Sequence, residues 1–241
     1  MAQEAASGLG APVYRGGIVE QTRTIYERVL LILEAAGANF GDVVKLVEYV
    51  APAGLEDYPA VRSLRREYFG HDLPASTMLV VTQLLHPAAH IAIDMVAVTG
   101  TTKKISIHPA WSRPDPEGLW SGVQKGPLLF ISGQFGVDPR AATSVGRGDL
   151  LKQTRQAYGN VQSIVEAAGA RMDDVVKTVE FLVPSGLHDY RRTAEIRREY
   201  FQEPYPAATG VVVQGLPQPD WLIAVDAVAV VSEVKPIADG Q

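Results

Sequence analysis

The sequence contains no cysteine, so it can form no disulfide, offers no thiolate nucleophile and cannot build a zinc-thiolate site. Its chemistry must come from oxygen and nitrogen groups. No stretch approaches the roughly 18 uninterrupted apolar residues that a membrane-crossing helix requires. An excess of basic residues is missing too: 22 Lys and Arg stand against 27 Asp and Glu, for a formal charge of −5. Nucleic-acid binding rests on clustered cations, so neither a nucleic acid nor a membrane is expected as partner.

What remains is the composition of an ordinary globular protein, 46% apolar and 20% charged. A chain of 241 residues has room for two domains of about 100 to 150 residues, each able to bury a core. The opening stretch, MAQEAASGLGAPVYRGG, has no basic region followed by an apolar run, which predicts a cytoplasmic protein.

The chain repeats itself. KLVEYVAPAGLEDYPAVRSLRREYF begins at Lys45, and KTVEFLVPSGLHDYRRTAEIRREYF begins at Lys177. Glu48 and Glu180, Tyr68 and Tyr200, Pro74 and Pro206, and Asp94 and Asp226 are all 132 positions apart. The register runs ungapped from Arg15/Arg147 to Val98/Val230, so each copy is one folding unit of the same architecture. GLWSGVQKGPLLFISGQFGVDP, rich in strand-forming residues and Gly turns, precedes only the second copy. The expected organisation is a flexible N-terminus over 1–14, a shortened repeat over 15–100, a complete repeat over 101–231 and a flexible tail over 232–241.

Within the second copy Leu151, Thr154, Tyr158, Val161, Val165 and Ala168 recur at helical spacing, with Gly169 as the stop. The first copy keeps the pattern through Val19, Thr22, Tyr26, Val29 and Leu33 up to Gly37. A β-rich run from Val175 to Val183 ends at Pro184, and Asp189 is placed to cap a second helix. Two further strand-like runs follow Pro206. The order predicts an α+β fold with helices on one face of a mixed sheet. Thr178 and Glu180 are expected on the opposite face, buried by sheet-on-sheet packing in an oligomer.

Particular stretches carry a resemblance as well: LLFISGQFGVDP, QTRQAYGNVQSIVEAAGARMDDVVKT, YPAATGVVVQGLP and IAVDAVAV. They resemble the Rid (YjgF/YER057c/UK114) family, small chorismate-mutase-like α+β proteins that form trimers with sites between subunits. The resemblance covers 104–231 and, without the first strands, 15–98. It implies a homo-oligomer, a trimer, that handles a small-molecule substrate or ligand without a cofactor or metal. It also implies a polar pocket rim at Ser132, Gly133 and Gln134, an aromatic cover at Trp120 and a water- or substrate-orienting acid at Asp226. Family members that hydrolyse reactive imines carry an arginine that grips the substrate carboxylate. Here Ala208 and Ser76 occupy its place, followed by Thr209 and Thr77. Neither copy can make the bidentate contact, so 2-aminoacrylate-type imines are expected to be poor substrates.

Glu180 draws attention without any resemblance, because a carboxylate inside a strand of Val, Leu and Phe must sit at a solvated edge or face a polar cavity. If Glu180 and Asp226 share a cavity wall, they form an acid/base pair. The expected catalytic residues are therefore Glu180 and Asp226, and the expected substrate-binding residues Trp120, Ser132, Gln134 and Thr209. The resulting reading is an enzyme that hydrolyses or tautomerises an imine, enamine or amide-like C–N bond. The alternative is a metabolite-binding or regulatory protein that has kept the pocket and lost the catalysis. A ribonuclease has no basic stripe to support it. Other features have plainer readings. Pro87 spoils His86 and His90 as a metal pair, Asp149 in the Arg-Gly-Asp tripeptide is a helix cap, and the pairs Arg65-Arg66 and Arg197-Arg198 read as solvated helix faces.

Overall fold

The computed structural model describes residues 14–109 and 121–231. In the first repeat, helix α1 (Ile18–Ala35) leads through a 3₁₀ turn to strand β1 (Val43–Val50). Helix α2 (Tyr58–Phe69) and strands β2 (Ala75–Val80) and β3 (Ile91–Ala97) complete it. The sheet order is β2-β1-β3; β1 and β2 run parallel, joined by the α2 crossover, and β3 is antiparallel to β1. Strand β4 (Ile105–Ile107) follows and belongs to the sheet of the second repeat.

The second repeat opens with the hairpin β5 (Gly122–Lys125) and β6 (Leu128–Phe135), then the short pair β7 (Val137–Asp138) and β8 (Thr143–Ser144). Helix α3 (Leu150–Ala167), strand β9 (Val175–Leu182), helix α4 (Thr193–Tyr200), β10 (Ala207–Val212) and β11 (Ile223–Val230) follow. Its sheet has the order β10-β9-β11-β6-β5-β4. Among the described residues the first sheet has no counterpart of the β5/β6 hairpin, and β3 pairs on one side only.

The helical spacing holds. Thr154, Tyr158, Val161 and Val165 of α3 are buried, and so are Thr22, Tyr26 and Leu33 of α1. Gly169 and Gly37 follow the two helices with φ of +73° and +69°, the left-handed conformation glycine adopts without penalty. The Asp149 side chain accepts from the Lys152 backbone N–H at 3.0 Å and caps α3. Asp189 does not cap α4. It lies inside a 3₁₀ segment, Pro184–Arg192, and its carboxylate pairs with Arg192 at 2.9 Å. The helix starts later, at Thr193.

The two sheets face each other within the chain. Alternation on β9 sends Thr178 and Glu180 toward the helices and Val179 and Phe181 toward the first repeat, the reverse of the assignment made from sequence. Strand β2 lies against β6 and is buried along its whole length, whereas its counterpart β10 is exposed along its whole length. A backbone bridge from Val80 to Gly215 fastens the end of β2 to the second repeat.

Candidate functional site at the seam between the repeats

Glu180 and Asp226 do not share a wall. In the antiparallel register Asp226 opposes Val179 and Val225 opposes Glu180; directly opposed residues lie on one face, so the two carboxylates point to opposite sides of the sheet. Glu180 accepts hydrogen bonds from the hydroxyls of Tyr158 and Tyr190, both at 2.7 Å, and pairs with Arg197 at 2.6 Å. Burial, with the Glu180 carboxylate alongside, pushes the Tyr190 hydroxyl up to about 12. It stays protonated and donating. Glu48 is bound in the same way by Tyr58 at 2.7 Å and by Arg65. These two clusters tie each sheet to its helices. Arg65, buried, and Arg197, half-buried, are the partners of strand carboxylates, which corrects the reading of both as solvated residues.

The seam is built around Thr77. Its hydroxyl accepts from the Gly133 N–H at 2.9 Å and from Lys45 Nζ at 2.8 Å, and donates to Asp226 Oδ1. One donor and two acceptors are all a hydroxyl has. Lys45 spends its three ammonium hydrogens on Thr77, the Ile131 carbonyl at 2.8 Å and Asp226 Oδ2 at 2.9 Å. Burial pulls its pKa below the usual lysine range, and Asp226 opposes that shift. Beside this knot the Ser76 N–H donates to Ser132 Oγ at 3.1 Å. A Cβ added at Gly133 would meet Thr77 at 2.8 Å, so the Ser132-Gly133 strand end and the Ser76-Thr77 strand fit with no room to spare.

Next to the knot a cleft of about 290 Å³ opens between the sheets. Lys45, Tyr49 and Asp94 line one wall; Lys177, Val179 and Asp226 line the other. The carboxylates that share the cleft are thus Asp94 and Asp226. Burial, with Asp94 and Asp226 close by, raises the pKa of the Tyr49 hydroxyl and keeps it protonated.

Of the residues expected at a site, Asp226 and Ser132 meet at the seam. Gln134 is buried beside them and donates to the Ser132 carbonyl at 2.8 Å. Thr209 is absent from this place: it sits on exposed β10, and Thr77, its repeat mate, takes the position. Trp120 lies outside the described residues. Sequence reasoning missed Lys45 and Tyr49, although VVKLVEYV carries the signal: Lys45 and Glu48 differ in parity and must face opposite sides of a strand. Among the described residues no group of three His, Asp or Glu could hold a metal ion. None of the helices described is long and apolar enough to cross a membrane.

The family model described as Endoribonuclease L-PSP matches residues 5–99 and 111–231. A RutC family protein from Pyrococcus horikoshii is 39% identical over 117 residues, 48% of this chain and 90% of the relative. The 2-iminobutanoate/2-iminopropanoate deaminase of Salmonella typhimurium is 38% identical over 112 residues, 45% of this chain and 84% of the relative. Among solved structures, a conserved Rid family protein, YyfA, from Yersinia pestis is 28% identical. It covers 53% of this chain and 99% of its own, with a TM-score of 0.47.

Proposed function

We propose that this chain, which belongs to the Rid (endoribonuclease L-PSP) family, binds a small imine, enamine or amide-like compound in the inter-sheet cleft and hydrolyses or tautomerises its C–N bond. One observation carries this reading: the Ser132-Gly133 strand end and the Ser76-Thr77 strand, halves contributed by different repeats, meet at Asp226 beside a cleft of ligand size. A cavity of about 290 Å³ lies near the lower limit of ligand pockets, roughly 300 Å³. It suits a compound of a few heavy atoms.

In an imine hydrolysis Asp94, exposed on the cleft wall, takes a proton from water as the oxygen adds to the C=N carbon. The protonated Tyr49 hydroxyl supplies the proton to the nitrogen, the carbinolamine collapses to a carbonyl and ammonia, and Asp94 returns the proton it took from water to the Tyr49 oxygen, which restores both groups. Asp226, held by Lys45 and Thr77, fixes the geometry of the wall. Among the described residues the cleft lining contains no arginine, which favours substrates without a carboxylate. That same absence supports a second reading, ligand binding without turnover.

We also propose a homo-oligomer, a trimer as the family resemblance implies. Strand β10 is open, Val211 and Val212 are exposed, and Lys177 and Asp94 stand at the mouth of the cleft. A neighbouring chain would cover all of them.

The test is ammonia release from imines generated in situ, from an amine by an amine oxidase and from an amino acid by an amino-acid oxidase. The protein should accelerate the first more than the second. Asp94→Asn, a surface change, should lower the rate about a hundredfold, within the range for a general base. No acceleration over the spontaneous rate with either imine would sink the enzymatic reading.

A further inference from the structure

On the helix side of the second sheet a hollow of about 180 Å³ lies between α4 and the strands β9 and β10. It shares no lining residue with the cleft. Ala194, Arg197, Arg198 and Phe201 line it at successive steps of three, one and three residues, which is one face of α4 and its C-terminal end. Across from them Thr178 of β9 and Ala208 of β10 are register partners and point to the same side of the sheet.

The duplication shows how the space arose. Thr178, Ala194 and Ala208 stand where the first repeat has Leu46, Arg62 and Ser76, and each of the three differences removes atoms from this place. Leu46 and Ser76 are buried in their own repeat. Arg197, Arg198 and Phe201, in contrast, keep the identities of Arg65, Arg66 and Phe69. The second repeat has therefore opened a hollow beside arginines that both repeats possess.

The two arginines are not equivalent. Arg197 donates to Glu180 at 2.6 Å and to the Thr193 hydroxyl at 3.2 Å, so its charge is compensated and its position fixed. Arg198 is exposed, and among the described residues it has no hydrogen bond or ion pair. Among those residues the lining contains no carboxylate either. One uncompensated guanidinium thus borders a hollow walled by Ala194, Phe201 and Ala208.

We propose that this hollow is a second ligand site, for a small aliphatic carboxylate. The carboxylate pairs with the planar fork of Arg198, and the alkyl chain lies against Ala194, Phe201 and Ala208. At about 180 Å³ the space falls below the range of drug-sized ligand pockets, roughly 300 to 1,000 Å³. The chain is accordingly short.

Titration of the full chain with butyrate and its neutral isostere butyramide, followed by ligand-observed NMR, tests this. Butyrate should bind at least tenfold more tightly than the amide. Arg198→Gln should abolish that preference, and Arg198→Lys should restore it in part. Ala208→Leu, on the exposed strand, should block butyrate without loss of fold, and Thr178→Leu, which restores the residue of the first repeat, should do the same. Asp94→Asn, in the cleft, should leave butyrate binding unchanged even if it stops ammonia release, so the hollow and the proposed reaction stand or fall separately. Equal affinities for acid and amide, butyrate binding unaltered by Arg198→Gln, or no binding at millimolar ligand would each overturn the proposal. So would a fall in sedimenting mass with Arg198→Gln in a protein that binds no butyrate, because that result gives Arg198 to a neighbouring chain.

Discussion

Glu48→Gln and Glu180→Gln make the same change in the two repeats, in surroundings that differ chiefly in how much water reaches the paired arginine. Glu48 takes its bonds from Tyr58 and Arg65, Glu180 from Tyr158, Tyr190 and Arg197. Glutamine keeps the shape but removes the charge, and it turns an NH₂ toward groups that are themselves donors. The Arg65 side chain is only 4% exposed, so its charge would be stranded; that of Arg197 is 26% exposed and can recover hydration. Breaking a buried pair costs about 3 to 5 kcal/mol, which sets the expectation for Glu48→Gln. For Glu180→Gln the loss of a charged hydrogen bond, about 1.5 to 3 kcal/mol, is the better guide. At about 2 to 4 °C per kcal/mol for a chain of this size, the first variant should melt roughly 6 to 20 °C below the parent and the second about half as far. Urea and thermal unfolding followed by far-UV circular dichroism measure both. The double variant Glu48→Gln/Arg65→Met should regain much of the loss, because it leaves no buried charge behind. Equal losses in the two single variants would refute the argument from desolvation. If Glu180→Gln melted like the parent yet lost its activity, Glu180 would belong to the site after all.

Sedimentation at micromolar concentration should give the mass of three chains, and Lys177→Glu at the cleft mouth should lower it; a monomer in the parent would end the proposal of an oligomer. A pH prediction follows from the Asp42/Lys125 pair, which joins the repeats. The hydrogen bond from Lys125, together with the Asn39 N–H, holds the Asp42 carboxyl below the usual carboxylate range. A folded-state pKa below the unfolded one means the stabilisation is complete above the unfolded pKa and is lost as pH falls through the folded one. Asp42→Asn should therefore be less stable than the parent near neutrality, and the difference should begin to shrink only below about pH 4 and vanish below the lowered folded pKa. Parallel stability curves over that range would contradict this.

The duplication, the helix faces, the glycine stops and the strand runs could be read directly, because each is a local pattern with its own period. Which side of the sheet Glu180 faces could not: parity places Lys177 and Glu180 on opposite faces, but only the docking of the helices says which face is which. Arg65 and Arg197 were legible and were misread. Arg65 stands four residues from Val61 and four from Phe69, both buried, so spacing already assigned it to the core side of α2; charge outweighed position in the reading. The knot at the seam had no local signature. Thr77 and Asp226 are separated by 149 residues, and Lys45 reaches a carbonyl 86 residues away; nothing in either neighbourhood announces the other.

The missing hairpin explains why identical residues have different fates. In the complete repeat β6 flanks β11 and also supplies the surface on which β2 of the other repeat lies. Among the described residues the shortened repeat has no such strand to offer in return, and none covers β10. Lys45 and Asp226 consequently close a buried pair, while Asp94 and Lys177, the same residues one repeat over, remain at an open cleft. The uncovered strand is itself a problem, since six consecutive exposed residues at a sheet edge present unpaired backbone to any other strand. Its residues have diverged accordingly: Ser76 and Met78 pack in β2, but Ala208 and Gly210 stand in β10, where a Cβ at Gly210 would meet the Tyr190 hydroxyl at 2.5 Å. One copy of the strand has become a fixed part of the seam, and the other has kept an edge that is open among the described residues, the edge that the proposed neighbouring chain would cover.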